Sequence, residues 1–405
     1  MLKPLFKIHL KNNDFSKDSV PLKELKMLLL VREIDDLIFN NFPIEKFGKD
    51  ENEILRVKGS KTLMEAFETV NGGKFDVEQV FQKVKFIGIE NTEIKLHIWQ
   101  NDLEKYLEAR GVYNFKYDLL SDTFHLGRKL VNEIFSKKYY DYLQFTLEYL
   151  MKKKKRKTMQ YRIIMKDNEN LIRGLTTKSY NNYDNHLAIY LALLALHNFL
   201  DENPFTFRIE EAYLTDSFIR IFIKQEDPYI IYLDNIPHKI YIGGLISNSE
   251  IRGKAFTFEF RYHLVDPEGN ELKATIKDSI FNIQHNLKID KVKEALKNVH
   301  KIEELVSKIK SQILLINSTQ KLTETRVHYI FNKLITSRDK NGFTKETKQQ
   351  FKRLSKNKII DNSMSLINAF NKISDVVTDI DERIFLEKVF ASVLEDWIKR
   401  EKNYG

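Results

Sequence analysis

The sequence predicts an α+β fold with an N-terminal α+β unit, a central α+β domain built on an antiparallel sheet, and a C-terminal helical region. The chain has 405 residues, more than the roughly 250 at which a single core stops growing, so two or three packed units are expected. Runs of alternating apolar and polar residues predict strands up to about residue 285. Beyond that point apolar residues recur at helical spacing.

These patterns divide the chain into four predicted segments. Residues 1–120 form a small α+β domain, in which β-like runs such as KVKFIGI and EIKLHIW accompany the helical stretch KTLMEAFETV. Residues 121–157 form a connecting helix with a basic end. Residues 158–285 form the central α+β domain, and residues 286–405 form the helical region.

The central segment carries the clearest patterns. The run LAIYLALLALHNFL at 187–200 is the most apolar stretch, but it is shorter than the ~20 residues of a membrane span. It therefore predicts a buried helix and no membrane contact. A half-buried strand is predicted further on by the alternating residues Phe256, Phe258, Phe260 and Tyr262.

Composition excludes several classes of function. The chain has no cysteine, which excludes disulfides, thiolate zinc sites and cysteine nucleophiles. No metal or cofactor is expected, because the common phosphate-cradling, dinucleotide-binding and zinc-hydrolase motifs do not occur in the sequence. The opening residues MLKPLFKIHLKNN lack the apolar core of a signal peptide, so a cytoplasmic location is expected.

Six consecutive basic residues, Lys152 to Lys157, lie between the connecting helix and the strand-like run TMQYRIIMK. Cations at the last turn of a helix complement its dipole, so the favoured interpretation is a solvated junction. The alternative is that Lys152, Lys153 and Arg156 contact the phosphates of a nucleic acid.

Positive charge is concentrated in one helical region. The net charge is +9, and residues 286–360 hold 18 Lys and Arg against 7 Asp and Glu. A basic helical surface attracts phosphates without reading sequence, and an excess of Lys over Arg favours backbone contacts. The alternative is that helices of a Lys-rich chain are basic without a partner. The candidate nucleic-acid-binding residues here are Lys333, Arg338, Lys340, Lys345, Lys348, Lys352, Arg353, Lys356 and Lys358.

Four aromatic residues are interleaved with these cations: Tyr329, Phe331, Phe343 and Phe351. Aromatic side chains in a basic groove stack on the bases of single strands. For Tyr329 and Phe331, whose spacing is helical, burial in a core is the commoner outcome.

Two polar stretches of the central segment are not explained by packing alone. They contain Arg173, Tyr180, Asp184 and Asn185 in the first, and Ser247, Asn248, Ser249 and Glu250 in the second. Both stretches resemble a family found in phages, prophages and plasmids and catalogued as a domain of unknown function. In the first stretch Lys178 and Ser179 stand where that family has Asp and Arg.

The second stretch is the closer match, although Gly253 falls one place early. Its matching positions are Gly243, Ser247 to Glu250, Phe260, Tyr262, Leu264, Val265 and Gly269, with His263 replacing an Arg. Near the end of the chain, Leu366, Asn368 and Ala369 resemble the closing helix of the family. The resemblance spans residues 160–400 and leaves the first 150 residues unexplained. It implies a mobile-element protein attending DNA replication, recombination or partner control, and it brings no catalytic residues.

The polar stretches could also do chemistry, because Asp184, His186 and Glu250 are suitable types for a hard-metal or general-acid site. The favoured interpretation is structural. Asp184 and Asn185 immediately precede the apolar helix and are expected to cap it, and Ser247–Ser249 is expected to form a turn or bulge. A ligand-binding polar cluster and a catalytic site are the alternatives.

Three functions remain open from the sequence. The leading hypothesis is a non-enzymatic nucleic-acid-binding protein of a phage or other mobile element, which binds single-stranded DNA in replication or recombination. The second is a structural or interaction protein of a virus, either a virion component or a homo-oligomeric assembly. The third is a metal-dependent nucleic-acid enzyme that uses Asp184 and Glu250.

Overall fold

The computed structural model describes residues 4–30, 32–48, 50–203, 205–251, 254–314, 323–337, 342–356 and 365–404. It has the predicted α+β architecture, with two sheets followed by a helical region. The strands are β1 (Lys7–Leu10), β2 (Val57–Lys58), β3 (Lys74–Val80), β4 (Val84–Glu90), β5 (Glu93–Gln100), β6 (Lys105–Gly111), β7 (Thr158–Lys166), β8 (Glu169–Thr176), β9 (Phe207–Thr215), β10 (Phe218–Gln225), β11 (Tyr229–Leu233), β12 (Ile236–Ser249), β13 (Phe256–Val265) and β14 (Glu271–Ile283).

The α-helices of the described residues are α1 (Glu33–Asn41), α2 (Ser60–Asn71), α3 (Phe115–Tyr117), α4 (Arg128–Lys137), α5 (Tyr140–Lys153), α6 (Asn185–Glu202), α7 (Ile289–Lys297), α8 (Lys301–Leu314), α9 (Glu324–Thr336), α10 (Lys345–Lys356), α11 (Leu366–Asp375) and α12 (Ile380–Tyr404). Short 3-10 segments, such as Leu22–Leu28, and a π-helical turn at Asp118–Thr123 connect some of these elements.

The larger sheet has the strand order β1-β9-β10-β12-β13-β14, with β11 paired to β12 and β2 paired to β9. Every pair is antiparallel except β2 with β9. Phe256, Phe258, Phe260 and Tyr262 are at most 4% exposed and lie in one core with α6. The alternation predicted for β13 is therefore confirmed.

Helix α6 is the buried helix that the sequence predicts. It packs between the larger sheet and the N-terminal helical segments, where the Tyr190 hydroxyl donates to the Phe42 carbonyl at 2.7 Å. Contacts on all sides explain why its sequence is apolar around the whole circumference. Among the described residues, no helix combines the length and the apolarity that crossing a bilayer requires.

The smaller sheet has the order β3-β7-β8-β6-β5-β4. Its pairs are antiparallel apart from β6 with β8. Helices α4 and α5 cover one face, where Leu143 and Leu147 share a core with Leu96 and Ile163. The other face is polar along β3, β7 and β8, and this face meets the larger-sheet unit.

Strand pairing crosses the boundaries expected at residues 120 and 158. Strands β7 and β8, from the expected central domain, complete the sheet of β3 to β6, whereas β1 and β2 join the larger sheet through β9. Alternating polarity identifies a strand, but it does not identify the strand's partner, which is set by contacts distant in sequence.

The expected connecting helix of residues 121–157 is divided into α4 and α5. Between the two helices, Lys138 has a left-handed φ of 57°, which a continuous helix does not allow. The break turns the chain so that both helices place apolar side chains, such as Val131 and Leu143, on the smaller sheet.

The C-terminal helical region is confirmed, and α12 lies along the edge strand β14. The Asp379 carboxylate starts α12 by accepting hydrogen bonds from the backbone N–H groups of Asp381 and Glu382 at 3.0 Å. On the sheet face opposite α6, buried Arg261 donates to both carboxylate oxygens of Glu387 on α12 at 2.8 Å. This bidentate pair fixes the register of α12 on the sheet.

The packing of α12 can be tested at Phe390, which is fully buried and stacks on Phe370 with ring centroids 4.0 Å apart. Phe390→Ala should lower the free energy of unfolding by about 3–5 kcal/mol, because it leaves a cavity. Urea denaturation followed by circular dichroism measures this change. The control Tyr232→Ala, at a side chain 65% exposed, should change it by about 0.5 kcal/mol or less. Equal effects would contradict the described packing.

Candidate functional site

The polar residues singled out in the sequence converge between the two sheets. Arg173 lies on β8 of the smaller sheet, whereas Asp184 and Asn185 start α6, and Glu250 directly follows β12 of the larger sheet. These four residues are at most 3% exposed. Together with additional charged residues they form what we call the ionic cluster, which consists of Arg32, Lys74, Asp76, Arg162, Arg173, Asp184 and Glu250.

Arg162 on β7 lies at the centre of the ionic cluster. Its Nη2 donates to Asp184 Oδ2 at 2.6 Å, and its Nε donates to Asp76 Oδ1 at 2.8 Å. Its Nη1 donates to the Glu250 carbonyl at 3.2 Å. One guanidinium group of the smaller sheet therefore binds both the start of α6 and the end of β12.

Glu250 is the second bridge between the sheets. Its carboxylate accepts from Arg173 Nη1 at 2.7 Å and from Lys74 Nζ at 2.9 Å. It also accepts from the backbone N–H of Asn185 at 3.1 Å. A carboxylate at the first turn of a helix is stabilised by the helix dipole, so Glu250 both caps α6 and pairs with the smaller sheet.

The expectation that the Asp184 side chain caps α6 is wrong. Asp184 occupies the N-cap position, but its side chain makes no capping hydrogen bond. Instead, Oδ2 accepts from Arg162 and, at 2.9 Å, from Arg32 Nη1. Two guanidinium groups bind an ionised carboxylate more strongly than one backbone N–H does, which explains the difference.

The expectation of a turn or bulge at Ser247–Ser249 is also wrong, because these residues are the last part of β12 and pair with β10. The Asn248 amide donates to the Tyr183 carbonyl at 2.9 Å and to Asn185 Oδ1 at 3.0 Å. Nearby, the Tyr180 ring stacks on His285 with centroids 4.6 Å apart, and its hydroxyl donates to the Glu250 carbonyl at 3.3 Å. Polar strand residues thus hold the segment that leads into α6.

Opposite charges keep the buried carboxylates ionised. Burial raises the pKa of Glu250, but Lys74, Arg173 and Arg162 outweigh that effect and lower the pKa to about 2. Burial likewise opposes ionisation of Asp184, and Arg162 and Arg32 hold its pKa well below the ordinary value. Glu250 and Asp184 are therefore ionised at neutral pH, whereas burial lowers the pKa of Lys74 and raises the pKa of Asp76.

The geometry of the ionic cluster indicates that its role is to hold the two sheets together. Asp184 and Glu250 face guanidinium and ammonium groups, which occupy the positions that a metal ion would need. In the described part of the chain, no group of three or more His, Asp and Glu side chains could hold a metal ion. The arrangement does not favour the hypothesis of a metal-dependent enzyme built on Asp184 and Glu250.

Four members of the cluster were not identified from the sequence: Arg32, Lys74, Asp76 and Arg162. One signal was present at Arg162, a charged residue inside the otherwise apolar half of the run TMQYRIIMK. A charge at a core position of a strand requires a buried partner. That partner, Asp184, could not be assigned, because the pairing of β7 was unknown.

The predicted basic region divides into paired and unpaired cations. Lys333 on α9 donates to Asp396 Oδ2 at 2.5 Å and to Ser392 Oγ at 2.9 Å, both on α12. It is therefore engaged within the protein and does not belong to an open basic surface. Phe331, Phe343 and Phe351 are at most 6% exposed, so burial, and not base stacking, is their role.

Helix α10 carries an open basic surface. Lys345, Lys352, Arg353 and Lys356 are exposed and fall within about 100° of arc on the helix. We call these four residues the α10 basic face. Thr347, Phe351 and Leu354 bury the opposite side. Among the described residues, no carboxylate forms an ion pair with any of the four cations.

The other candidate cations differ in their placement. Lys348 is half-buried and donates to the Ser337 carbonyl at 2.8 Å. Lys152 and Lys153 are exposed in the last turn of α5, and exposed Arg156 follows them, as expected of a helix–strand junction. The positions Arg338, Lys340 and Lys358, like Gly253, lie outside the described residues.

Removing the charge of Glu250 should weaken the contact between the sheets. Glu250→Gln should lower the free energy of unfolding by about 3–5 kcal/mol, because Arg173 and Lys74 lose a buried partner. Urea denaturation at pH 7 measures the change. Glu169→Gln, which breaks an exposed pair with Arg110, is the control and should cost about 1 kcal/mol at most. A similarly small loss for Glu250→Gln would contradict the cohesive role.

The stability of the protein should also depend on the protonation of Glu250. The pKa of this group falls from 4.5 to about 2 on folding, so its contribution is complete above pH 4.5 and is lost as the pH falls toward 2. Urea denaturation at several pH values in this range should show a steep loss of stability in the unmodified protein. Glu250→Gln should show a shallower slope, and parallel slopes would contradict the assignment.

Comparison of the chain with protein-family models, with curated proteins and with solved structures gives no match. The resemblance of residues 160–400 to the phage and plasmid family stays a prediction, and the candidate sites rest on the geometry alone.

Proposed function

We propose that this protein binds nucleic acid without catalysing a reaction on it, and that the α10 basic face contacts the phosphate backbone. The observation that carries the proposal is the arrangement of Lys345, Lys352, Arg353 and Lys356 on one exposed side of a helix. Cations gathered in this way release condensed counterions when they neutralise phosphates, which is the main source of sequence-independent affinity.

The distribution of charge supports this proposal. The cations of the ionic cluster are paired with carboxylates, whereas no carboxylate among the described residues pairs with the four cations of α10. Glu346 is the only acidic residue of α10 and lies in its first turn. Three of the four cations are lysines, which act as point charges toward phosphates and lack the fork geometry suited to reading a base.

The resemblance to phage and plasmid proteins suggests the process in which such binding would take place. A protein with this function would act on the DNA of a mobile element during replication or recombination. It would work in the cytoplasm of the host cell or in association with the virion.

A salt titration tests the proposal. Fluorescence anisotropy with labelled single-stranded DNA should show affinity that falls linearly with salt on logarithmic axes. Replacing Lys345, Lys352, Arg353 and Lys356 with Gln should reduce that slope by about 3, at roughly 0.7 for each lost phosphate contact. The fold should persist, because the four side chains are exposed.

The matched control removes four exposed lysines elsewhere, at Lys17, Lys46, Lys61 and Lys105. It lowers the net charge equally, so it separates a local contact from a general effect of charge. Equal effects of the two quadruple variants would place the binding surface outside α10. Absence of binding at low salt would refute the proposed function and leave the role of a viral structural protein to be tested.

A further inference from the structure

Helix α5 exposes a line of aromatic side chains. Tyr142, Phe145 and Tyr149 are 52%, 73% and 57% exposed, and their spacing of three and four residues places them on one helical face. We call these three residues the aromatic stripe. Leu143, Leu147 and Met151 bury the opposite side of α5 against the smaller sheet. Packing within the protein therefore does not explain why the stripe is aromatic.

Exposed cations lie at both ends of the aromatic stripe. Lys137 and Lys138 precede α5, while Lys152, Lys153 and Arg156 end and follow it. The helix between them is about 21 Å long at 1.5 Å per residue. The acidic residues of α5, Asp141 and Glu148, both lie on one flank of the stripe, about 70–90° around the helix from its centre. The aromatic line thus runs from one group of cations to another.

We propose that the aromatic stripe is a base-stacking platform for a single-stranded nucleic acid whose phosphates lie on the cations at its two ends. This inference rests on the proposed function and specifies the state of the strand. Only unpaired bases present a free face to an aromatic ring, because the bases of a duplex already stack on one another. Stacking of this kind tolerates any base sequence. The basic surfaces are rich in lysine, which contacts phosphates and also does not distinguish one base from another.

Charge distinguishes this occupant from the alternatives. A second copy of the chain or another protein could cover an aromatic face, but the cations at both ends of the stripe would then need carboxylates in matching positions. A nucleic acid supplies negative charge along its whole length together with aromatic faces. A single-stranded nucleic acid can therefore contact both the aromatic stripe and the cations at its two ends.

The test compares strands with and without bases. Anisotropy is measured with a labelled single-stranded DNA of about 20 nucleotides, longer than the site of one small binding fold, and with an abasic strand of equal length. The variant combines Tyr142→Ser, Phe145→Ser and Tyr149→Ser. It should bind the base-bearing strand at least about tenfold more weakly, and bind the abasic strand as the unmodified protein does.

The control combines Met27→Ser, Leu103→Ser and Tyr232→Ser, which replace three side chains exposed by 73%, 58% and 65%. It should leave binding of both strands unchanged. Thermal melting should be the same for both triple variants, since none of the six side chains is buried. Photo-crosslinking of bromouracil-substituted DNA should mark Tyr142, Phe145 or Tyr149 in the unmodified protein, which tests the site without any substitution.

Failure of this inference differs from failure of the proposed function. If the unmodified protein binds neither strand at low salt, both the proposed function and the stacking platform are refuted. If it binds DNA through the α10 basic face while the stripe variant binds both strands normally, only the stacking platform is overturned. A dimer that the stripe variant converts to a monomer, with DNA affinity unchanged, would assign the stripe to a second copy and equally overturn the platform.

Discussion

Arg162 and Arg173 reach from the smaller sheet to Asp184 and Glu250 of the larger-sheet unit, and these buried ion pairs fix how the two sheets meet. A buried charge without its partner costs several kcal/mol, so the sheets can approach only where every partner is in place. An apolar interface of the same size would tolerate small shifts. The ionic cluster does not, because a shift would separate oppositely charged groups that are removed from water.

The same requirement divides the cations of the chain into two classes. The arginines at the sheet contacts, Arg162, Arg173 and Arg261, are at most 1% exposed and bind carboxylates at 2.6–2.8 Å. The planar guanidinium group suits such sites, since it satisfies several acceptors in fixed directions. Other cations are exposed, and those on α10 and at the ends of α5 are mainly lysines. The buried contacts are thus made mainly by arginine, and the exposed face that is proposed to bind phosphates is formed mainly by lysine.

The sequence predicts the fold class, the buried helix α6 and the alternation of β13, because these depend on local periodicity. It does not predict that β7 pairs with β3, since the partner of a strand depends on contacts distant in the chain. For the same reason the polar residues Asp184 and Glu250 were identified, but their bonding to Arg162 and Arg173 was not. The sequence assigns Lys333 to the basic surface, because a count of charges along the chain does not reveal its contact with Asp396 on a different helix. The aromatic stripe was missed because helical spacing alone does not tell an exposed face of α5 from a buried one.

The most direct measurement is the ultraviolet spectrum of the protein purified at low ionic strength and again after a high-salt wash. We expect the absorbance of bound nucleic acid before the wash and that of protein alone after it, because salt competes with the unpaired cations for phosphates. A protein whose spectrum shows no nucleic acid in either state, and which takes up none when single-stranded DNA is added at low salt, would contradict the proposed function.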